Sequence, residues 1–477
     1  FFAVLRLGGI VVEHNPTYTT PQYAHQLSDS GATHVLVWDK ATPAVLRAVD
    51  PEAVDVMAVA MTRDLPALKR GLLRLPLPAA RRLRKEMGGP VPAGATRWER
   101  LTAAARPIGP DTPGPGPDNL ALLQYTGGTT GTPRGAMVTH RNLAVNAVQS
   151  IAWVPLLRGE HEVFYGALPF FHAFGLSLSL AVPVALGALL VVFPKFDAKM
   201  ILAAQRRVPG TFFAGVPPMF DRLEKAAAAS GRPLTSFVHS ISGAMSLDPG
   251  IARRWEKATG GMLMEGYGLT ETSPVALGNP ASPLRRPGAL GLPFPSTWMR
   301  VADPEAPEND VEPGRAGELL LRGPQVFQGY WNRPEETAAA FTADGWLRTG
   351  DVVEVGDDGF VTLVDRIKEI IITGGFNVYP SDVERSLAAM PEIAEVAVVG
   401  LPGGDLGERV AAAVVLAPGA HLDIDKVREW CLQRLSRYAI PRELVFLTEL
   451  PRSQVGKVLR RAVRASIVTP SATPESI

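Results

Sequence analysis

The sequence predicts an α/β protein with a large N-terminal domain of layered α/β subdomains and a small α+β C-terminal domain. Apolar strand-like runs alternate with helix-like stretches through most of the first 300 residues, which favours mostly parallel sheets. Short alternating strands and turns between about 290 and 365 indicate a β-rich subdomain of the large domain. After Lys368 the pattern reads strand, helix, strand, strand, helix, strand, which is typical of a compact α+β unit.

The order of the predicted elements sets the domain boundaries. Strand-like runs of the large domain are IVVEH, THVLVWD, DVMAVAM, LALLQYT, EVFYGALP, ALLVVF, TFFAGV, SFVHSIS and MLMEGYG, and those of its β-rich part are GELLLRG, DGWLRTGDVVEV and GFVTLVDR. The Pro/Gly-rich stretch 102–118 reads as an internal linker. We therefore predict a large domain at 1–364, a hinge at 365–368, a C-terminal domain at 369–465 and a disordered tail at 466–477. The chain opens with Phe1 inside an apolar segment, so we expect the large domain to lack its first segment.

Composition narrows the range of functions. The 477 residues carry a net charge of +1, which gives no global reason to expect nucleic acid as a partner. The single cysteine, Cys431, rules out an internal disulfide and agrees with a reducing, cytoplasmic location. The uncharged run 173–194 is long enough to span a membrane, but Pro183 and Gly187 interrupt it, and ALLVVF reads as a buried parallel strand.

One local charge run departs from this balance. Residues 61–90 hold eight Lys/Arg against two Asp/Glu, with leucines interleaved. Such a segment is either a solvated surface insertion or an amphipathic basic patch that rests on an anionic membrane surface. The second interpretation would place the protein peripherally at a membrane.

The stretch LLQYTGGTTGTPRGAMVTH, at 122–140, is the strongest local signal. Runs of Gly and Thr are poor core material, but their N–H groups and hydroxyls can surround the oxygens of a phosphate chain. The loop is not a Walker A motif, because Gly131 is followed by Thr-Pro-Arg-Gly where that motif needs Gly-Lys-Ser/Thr. The loop therefore argues against a P-loop NTPase, but it still predicts phosphate binding.

Four further motifs follow in order along the chain: YGLTETSP at 267–274, GWLRTGD at 345–351, DRIKEIIITGGFNVYPSDVE at 365–384 and PRSQVGKVLRR at 451–461. This ordered set resembles the adenylate-forming enzymes, and most closely the long-chain fatty-acid–CoA ligases. The resemblance runs from Phe1 to about residue 465. It implies that ATP activates a carboxylic acid and that CoA, a co-substrate, accepts the acyl group. Arg134 stands where relatives usually carry Lys, which keeps the charge but changes its shape.

The resemblance implies a nucleotide site. Tyr267 would offer a face to adenine, Asp351 would accept the ribose hydroxyls, Arg366 would reach the same sugar, and Glu271 would give an oxygen to Mg²⁺. Loop residues would bind the β- and γ-phosphates. The implied nucleotide-binding residues are Thr126, Gly127, Gly128, Thr129, Thr130, Gly131, Thr132, Ser242, Gly243, Ala244, Tyr267, Gly268, Asp351 and Arg366.

The resemblance also implies catalytic residues and a domain rotation. Lys457 would stabilise the charge that builds as the carboxylate attacks the α-phosphorus, Thr270 would contact the α-phosphate, and His172 would position the substrate. The family rotates its small, mobile C-terminal domain about a hinge that matches Lys368. In the second pose, Gly374 and Gly375 would leave room for the pantetheine arm of CoA.

Alternatives remain open at this point. A fatty acyl-AMP ligase would pass its adenylate to a carrier protein, but such enzymes typically carry an insertion that impedes the rotation, and none lies between Gly345 and Lys368. A non-catalytic nucleotide- or acyl-binding protein is the rival from another class. The expected partners are fatty acid, ATP and CoA, with no nucleic acid, and a homodimer is left open.

Overall fold

The structure is a computed structural model that describes residues 1–109, 111–126, 133–154, 157, 159–373, 376–403, 407–453 and 456–468. The chain forms two compact units. Unit 1 comprises Phe1–His140 with Gln328–Pro334, and unit 2 comprises Arg141–Phe327 with Glu335–Ile477. The domain boundaries predicted from the sequence divide the chain differently and stay a prediction.

Unit 1 holds two small sheets. The described helices are α1 Phe2–Arg6, α2 Thr20–Ser30, α3 Thr42–Leu46, α4 Ala67–Arg74, α5 Pro78–Met87 and α6 Trp98–Ala104. The described strands are β1 Val11–Val12, β2 His34–Trp38, β3 Asp55–Val59, β4 Ala95–Arg97, β5 Leu120–Thr126 and β6 Arg134–Thr139. Strands β2, β3 and β4 pair in parallel, whereas β5 pairs in parallel with β1 and antiparallel with β6.

Unit 2 begins with a seven-stranded sheet and the helices around it. The helices are α7 His140–Trp153, α8 Ala173–Leu176, α9 Val182–Leu186, α10 Ala198–Gln205, α11 Pro217–Ser230 and α12 Pro249–Thr259. The strands are β7 Val163–Gly166, β8 Leu189–Val192, β9 Phe212–Gly215, β10 His239–Ser242, β11 Met262–Gly268, β12 Val275–Gly278 and β13 Leu292–Pro293. The order is β13-β12-β11-β10-β9-β7-β8, parallel from β8 to β11 and antiparallel beyond.

Aromatic packing holds this sheet to its helices. Helix α12 begins at Asp248, whose carboxylate accepts the N–H of Ile251, and ends at Gly260, whose φ of 70° is left-handed. Its apolar face buries Trp255 completely, and the indole stacks on Phe213 with ring centroids 5.8 Å apart. Because the buried indole N–H donates to the Ser240 hydroxyl at 3.0 Å, that polar group is satisfied inside the core.

The uncharged run 173–194 folds as short pieces. It forms α8, a π-helical turn at Ser177–Ala181, α9 and β8, and the left-handed Gly187 ends α9. Within the described parts of the chain, no helix is both long enough and apolar enough to cross a membrane. The run ALLVVF contains the predicted parallel strand, β8, but the prediction that this strand is buried was wrong: among the described residues β8 pairs only with β7, at the sheet edge, and its Leu189 and Val192 are 51% and 58% exposed.

The rest of unit 2 comprises an antiparallel sheet and a smaller α+β region. The first part has helix α13 Pro334–Ala339 and strands β14 Trp298–Ala302, β15 Gly317–Arg322, β16 Leu347–Val355 and β17 Val361–Arg366, paired in that order. The second part has β18 Ile371–Thr373, β19 Phe376–Val378, α14 Pro380–Ala388, β20 Ile393–Pro402, β21 Glu408–Leu416, α15 Ile424–Leu432, β22 Glu443–Phe446 and α16 Arg460–Val468. Cys431 is buried there.

Two details of this C-terminal region differ from the sequence prediction. It opens with the hairpin β18–β19 instead of one strand, and it closes with a helix after β22. Helix α16 extends through Val468, so residues 466–468 are helical although we predicted a disordered tail from 466. Val463 is fully buried in a core cluster, and Ile467, one helical turn later, packs against the same cluster, which holds this end of the helix in place. Residues 469–477 lie outside the described residues.

Candidate active site

The turn between β11 and β12 carries four of the predicted site residues. Tyr267 and Gly268 end β11, and Thr270 and Glu271 form a 3-10 turn directly afterwards. A Cβ at Gly268 would lie 1.9 Å from the carbonyl oxygen of Pro274, so no other residue fits this close approach of two backbones. The backbone carbonyl of Glu271 accepts the N–H of Phe327 at 2.9 Å, which ties the turn to a neighbouring loop.

Cross-strand pairing brings Asp351 and Arg366 together. The two residues are direct partners in the β16–β17 ladder, and their side chains form an ion pair of 2.9 Å. The Tyr267 hydroxyl donates to the other carboxylate oxygen of Asp351 at 2.6 Å. Burial, together with the neighbouring Asp351 carboxylate, raises the pKa of Tyr267 well above its usual value, so the phenol stays a donor. Asp351 itself is only 1% exposed.

Lys457 lies in a tight turn whose backbone is closed on itself. The N–H of Ser453 donates to the carbonyl of Lys457 at 2.7 Å, and the Lys457 N–H returns to the Ser453 hydroxyl at 3.1 Å. Burial lowers the pKa of the Lys457 ammonium from 10.5 to about 8, with Arg366 and Arg460 acting in the same direction and Glu369 and Asp351 opposing them. Lys457 is thus within electrostatic range of Asp351 and Arg366.

Sequence reasoning missed the side chains that hold this lysine turn. Arg460, three residues after Lys457, pairs with Glu369 next to the predicted hinge Lys368 and with Glu384 of α14 at 2.6 Å. The motif containing Arg460 was visible in the sequence, but its carboxylate partners lie 76 and 91 residues away. Only the tertiary structure could identify this cluster.

An apolar cavity lies next to these groups. Its lining includes Tyr267, Gly268, Thr270 and His172, together with the apolar or aromatic residues Phe174, Leu178, Ile241, Met264, Val275, Trp153 and Phe294. His172 caps α8: its Nδ1 accepts the N–H of Phe174 at 3.3 Å, so the proton of the neutral ring lies on Nε2. Burial lowers the pKa of His172, which favours that neutral form.

The predicted residue Ser242 ends β10, and the predicted residues Gly243 and Ala244, which follow it, line the same cavity. Ala244 has a φ of 65°, a left-handed conformation that costs energy in a residue with a side chain and is typical of functional sites. The Ser242 hydroxyl is buried and has no hydrogen-bond partner among the described residues. An unsatisfied buried hydroxyl at this point favours a polar ligand.

The phosphate-loop residues belong to unit 1. Thr126 is the last residue of β5, and its buried hydroxyl has no partner within the described ranges. Arg134, the first residue of β6, stacks its guanidinium 4.2 Å from the ring centroid of Tyr330, an interaction that the sequence did not reveal. Six further predicted residues of the loop, Gly127, Gly128, Thr129, Thr130, Gly131 and Thr132, and the pair Gly374 and Gly375 lie outside the described residues.

Comparison with known proteins identifies the family. Residues 1–331 match the AMP-binding enzyme family, and residues 382–457 match the AMP-binding enzyme C-terminal domain. The chain belongs to the AMP-binding enzyme family. Members of this adenylate-forming family activate a carboxylate with ATP and then transfer the acyl group, and this chain has their mixed α/β fold with its small C-terminal region.

Individual members of the AMP-binding enzyme family match nearly the whole chain. A long-chain-fatty-acid–CoA ligase of Bacillus subtilis (strain 168) is 35% identical over 466 residues, which are 97% of this chain and 82% of that protein. One of Escherichia coli O157:H7 is 37% identical over 467 residues, with the same coverage. The crystal structure of ATP-bound MatB from Rhodopseudomonas palustris matches with a TM-score of 0.77 and 31% identity over 97% of this chain and 85% of that one.

The residues fit a magnesium ion that is shared with a nucleotide. Among the described residues, no group of three or more His, Cys, Asp or Glu side chains could hold a metal alone. Mg²⁺ commonly uses one or two carboxylates together with substrate phosphates, and a single carboxylate such as that of Glu271 suits this mode. Glu271 adjoins Thr270, which lines the cavity.

Proposed function

We propose that this chain is a long-chain-fatty-acid–CoA ligase that forms AMP. ATP and the fatty acid give acyl-adenylate and pyrophosphate, and the CoA thiol then displaces AMP to give acyl-CoA. The observation that carries the proposal is the junction of two features in unit 2. Tyr267 lines an apolar cavity and also donates a hydrogen bond to Asp351. Arg366 forms an ion pair with Asp351, and Lys457 is within electrostatic range of both.

We assign nucleotide binding to residues from several of the sequence motifs. Tyr267 would face the adenine, with Ser242 and the following two residues on its other side. Asp351 and Arg366 would hold the ribose. The Thr126–Thr132 loop would hold the β- and γ-phosphates through hydroxyls and N–H groups. The unsatisfied hydroxyls of Thr126 and Ser242 support this assignment, because each is a buried polar group with no described protein partner.

The first step is nucleophilic substitution at the α-phosphorus. A carboxylate oxygen of the fatty acid forms the new P–O bond, and the bond to pyrophosphate breaks. We propose that the Lys457 ammonium and the Thr270 hydroxyl stabilise the charge on the phosphate oxygens, and that His172 orients the carboxylate through its Nε2–H. Mg²⁺, held by Glu271 and the phosphates, would add Lewis-acid stabilisation.

The second step needs different groups around the same carbonyl. We propose that the C-terminal region rotates about Lys368, which lies in the 3-10 turn Ile367–Glu369 directly after β17. The rotation would withdraw Lys457 and bring Gly374 and Gly375 to the path of the pantetheine arm. Closing over the adenylate would also keep water away from it.

The cavity favours a fatty acid over a dicarboxylate as substrate. Its lining is mostly apolar and, among the described residues, contains no Lys or Arg that could pair with a second carboxylate. Glu265, which also lines it, would repel one. A long alkyl chain gains affinity from apolar walls, roughly 0.8 kcal/mol for each buried methylene.

Pyrophosphate release with ATP, Mg²⁺ and a series of fatty acids tests the proposal. We expect release to depend on the fatty acid, acyl-CoA to form when CoA is added, and Lys457→Ala to lose at least about a hundredfold in the first step. Lys426→Ala, a substitution of an exposed lysine on α15, is the matched control. Adenylate formation that CoA does not consume would favour the carrier-protein ligase, and ATP binding without release would favour the non-catalytic protein.

We also propose that the basic hairpin α4–α5 rests on an anionic membrane at the cytoplasmic side. Leu73 anchors α4 in unit 1, whereas Leu68 and Leu72 are 76% and 53% exposed. Exposed basic side chains flank these leucines, which suits a surface of anionic lipid headgroups. They are Lys69, Arg74, Arg81, Arg84 and Lys85.

Co-sedimentation with vesicles tests this second proposal. We expect binding to vesicles that contain phosphatidylglycerol, weaker binding in high salt, and little binding to pure phosphatidylcholine. Leu72→Glu should weaken binding at least about threefold, whereas Leu284→Glu, at an 80% exposed leucine in unit 2, should not. Equal binding to both kinds of vesicle would contradict the electrostatic part of the argument. A homodimer stays a prediction that gel filtration can check.

A further inference from the structure

Two aromatic rings form one wall of the apolar cavity. Trp153, the last residue of α7, and Phe294 both line it, and their rings stack with centroids 4.7 Å apart and an interplanar angle of 25°. The indole N–H of Trp153 donates to the carbonyl oxygen of Asn279 at 2.9 Å, which fixes the orientation of the ring. Phe294 is buried, whereas Trp153 is partly exposed. The indole is therefore held in one orientation at the cavity wall while part of its surface stays accessible.

The backbone of Gly278 makes room for this wall. A Cβ at Gly278 would lie 2.9 Å from Cε1 of Phe294 and 3.2 Å from Nε1 of Trp153. Both rings pack directly on the glycine backbone, and any side chain there would force at least one ring to shift and would itself add volume to the cavity lining. The wall is consequently sensitive to a single methyl group.

The β11–β12 register separates this wall from Thr270 along the strand. In the β11–β12 pair, Val275 lies opposite Gly268, near Thr270, whereas Gly278 lies opposite Gly266. The three residue steps from Val275 to Gly278 span roughly 10 Å along the strand. An acyl chain whose carboxylate is at Thr270 and that follows this strand would meet the indole with its distal part.

We propose that Trp153 closes the distal end of the acyl cavity and sets the acyl chain length that this chain prefers. The inference rests on the proposed function. Each methylene added to the substrate gains contact with apolar walls until the tail reaches the indole. A longer tail must break the stack on Phe294 and the hydrogen bond to Asn279, or stay in water.

The test is the dependence of kcat/KM for pyrophosphate release on acid length, from hexanoate to octadecanoate. We expect a rise of about fourfold for each methylene that ends at a break point in the wild-type protein. Trp153→Ala should move the break to longer acids and raise the ratio of kcat/KM for palmitate to that for octanoate by at least about tenfold. Gly278→Ala should move the break to shorter acids.

Ratios taken within one variant do not depend on the fraction of protein that is folded, so partial misfolding does not mimic the effect. Trp298→Ala is the matched control, because Trp298 is 59% exposed on β14 and does not line the cavity. Its profile should run parallel to that of the wild type. If the Trp153→Ala profile is also parallel, the inference is overturned although the proposed function holds. If none of the fatty acids triggers pyrophosphate release from the wild type, the proposed function is overturned and the inference with it.

Discussion

The lowered pKa of Lys457 predicts an alkaline limit on the first half-reaction. Its ammonium is costly to bury, and Arg366 and Arg460 add positive charge, so the pKa falls from 10.5 to about 8. In the proposed mechanism, the charged form is the one that stabilises the phosphate oxygens. Because the pKa is lowered, activity is full below that value and is lost as the pH rises through it. A lysine with an ordinary pKa would show no loss in that range.

The size of the effect follows from the protonated fraction. At about pH 9 a lysine with a pKa near 8 is roughly one-tenth charged, whereas one at the ordinary value is almost fully charged. We expect kcat/KM for pyrophosphate release to fall about tenfold between about pH 7 and pH 9, since this parameter reports the free enzyme. In the pH profile of kcat the alkaline limit should lie at higher pH, because the phosphates of bound ATP stabilise the charged form of Lys457.

Lys457→Arg is the control for this prediction. An arginine stays charged over the whole range, so the alkaline limb should disappear even if overall activity is lower. The assay is pyrophosphate release at subsaturating fatty acid and ATP, without CoA, so that the thiol does not titrate in the same range. A wild-type loss below about twofold by pH 9, or an unchanged limb in Lys457→Arg, would refute the reasoning.

Three further predictions concern other charged side chains. Asp351→Asn should lower the free energy of unfolding by about 1.5 kcal/mol in urea denaturation, because Arg366, whose side chain is 34% exposed, loses its counter-charge, and should raise KM for ATP at least about tenfold. An unchanged KM would argue against ribose binding there. Arg134→Lys keeps the charge but loses the stack on Tyr330, so we expect KM for ATP to rise by no more than about fivefold, and Arg134→Met to raise it further. Arg460→Leu should slow adenylate formation more than thioester formation from preformed adenylate, because it frees the lysine turn from Glu369; equal effects on both steps would contradict this role.

Local signals made the strands and their ends predictable. The predicted runs LALLQYT and MLMEGYG coincide with β5 and β11, and the predicted run SFVHSIS contains β10. The exposure of β8 was not predictable in this way. Whether an apolar strand is central or at an edge depends on which strands flank it, and its own composition is the same in both cases.

Contacts between distant segments were the part that the sequence did not reveal. The resemblance to a family indicated Tyr267 as a face for adenine, but the hydrogen bond from its hydroxyl to Asp351 joins residues 84 positions apart. Likewise, the stack of Arg134 on Tyr330 depends on a pairing of β6 with a later segment, in which the Trp331 N–H donates to the Gly135 carbonyl at 2.8 Å. Such contacts follow from tertiary pairing, for which a single sequence carries little information.

The proposed ribose-binding role of Asp351 has a consequence for the selection of ribose over deoxyribose nucleotides. A carboxylate offers about four acceptor positions. The phenol of Tyr267 uses one and the guanidinium of Arg366 another, so about two are left, one for each hydroxyl of a ribose. A 2′-deoxynucleotide would fill one of these two acceptor positions and leave the other without a hydrogen-bond donor. Water could not readily replace the missing donor, because Asp351 is only 1% exposed. Discrimination between ATP and 2′-deoxy-ATP would thus come from an acceptor deprived of its donor, without any steric barrier against the smaller sugar.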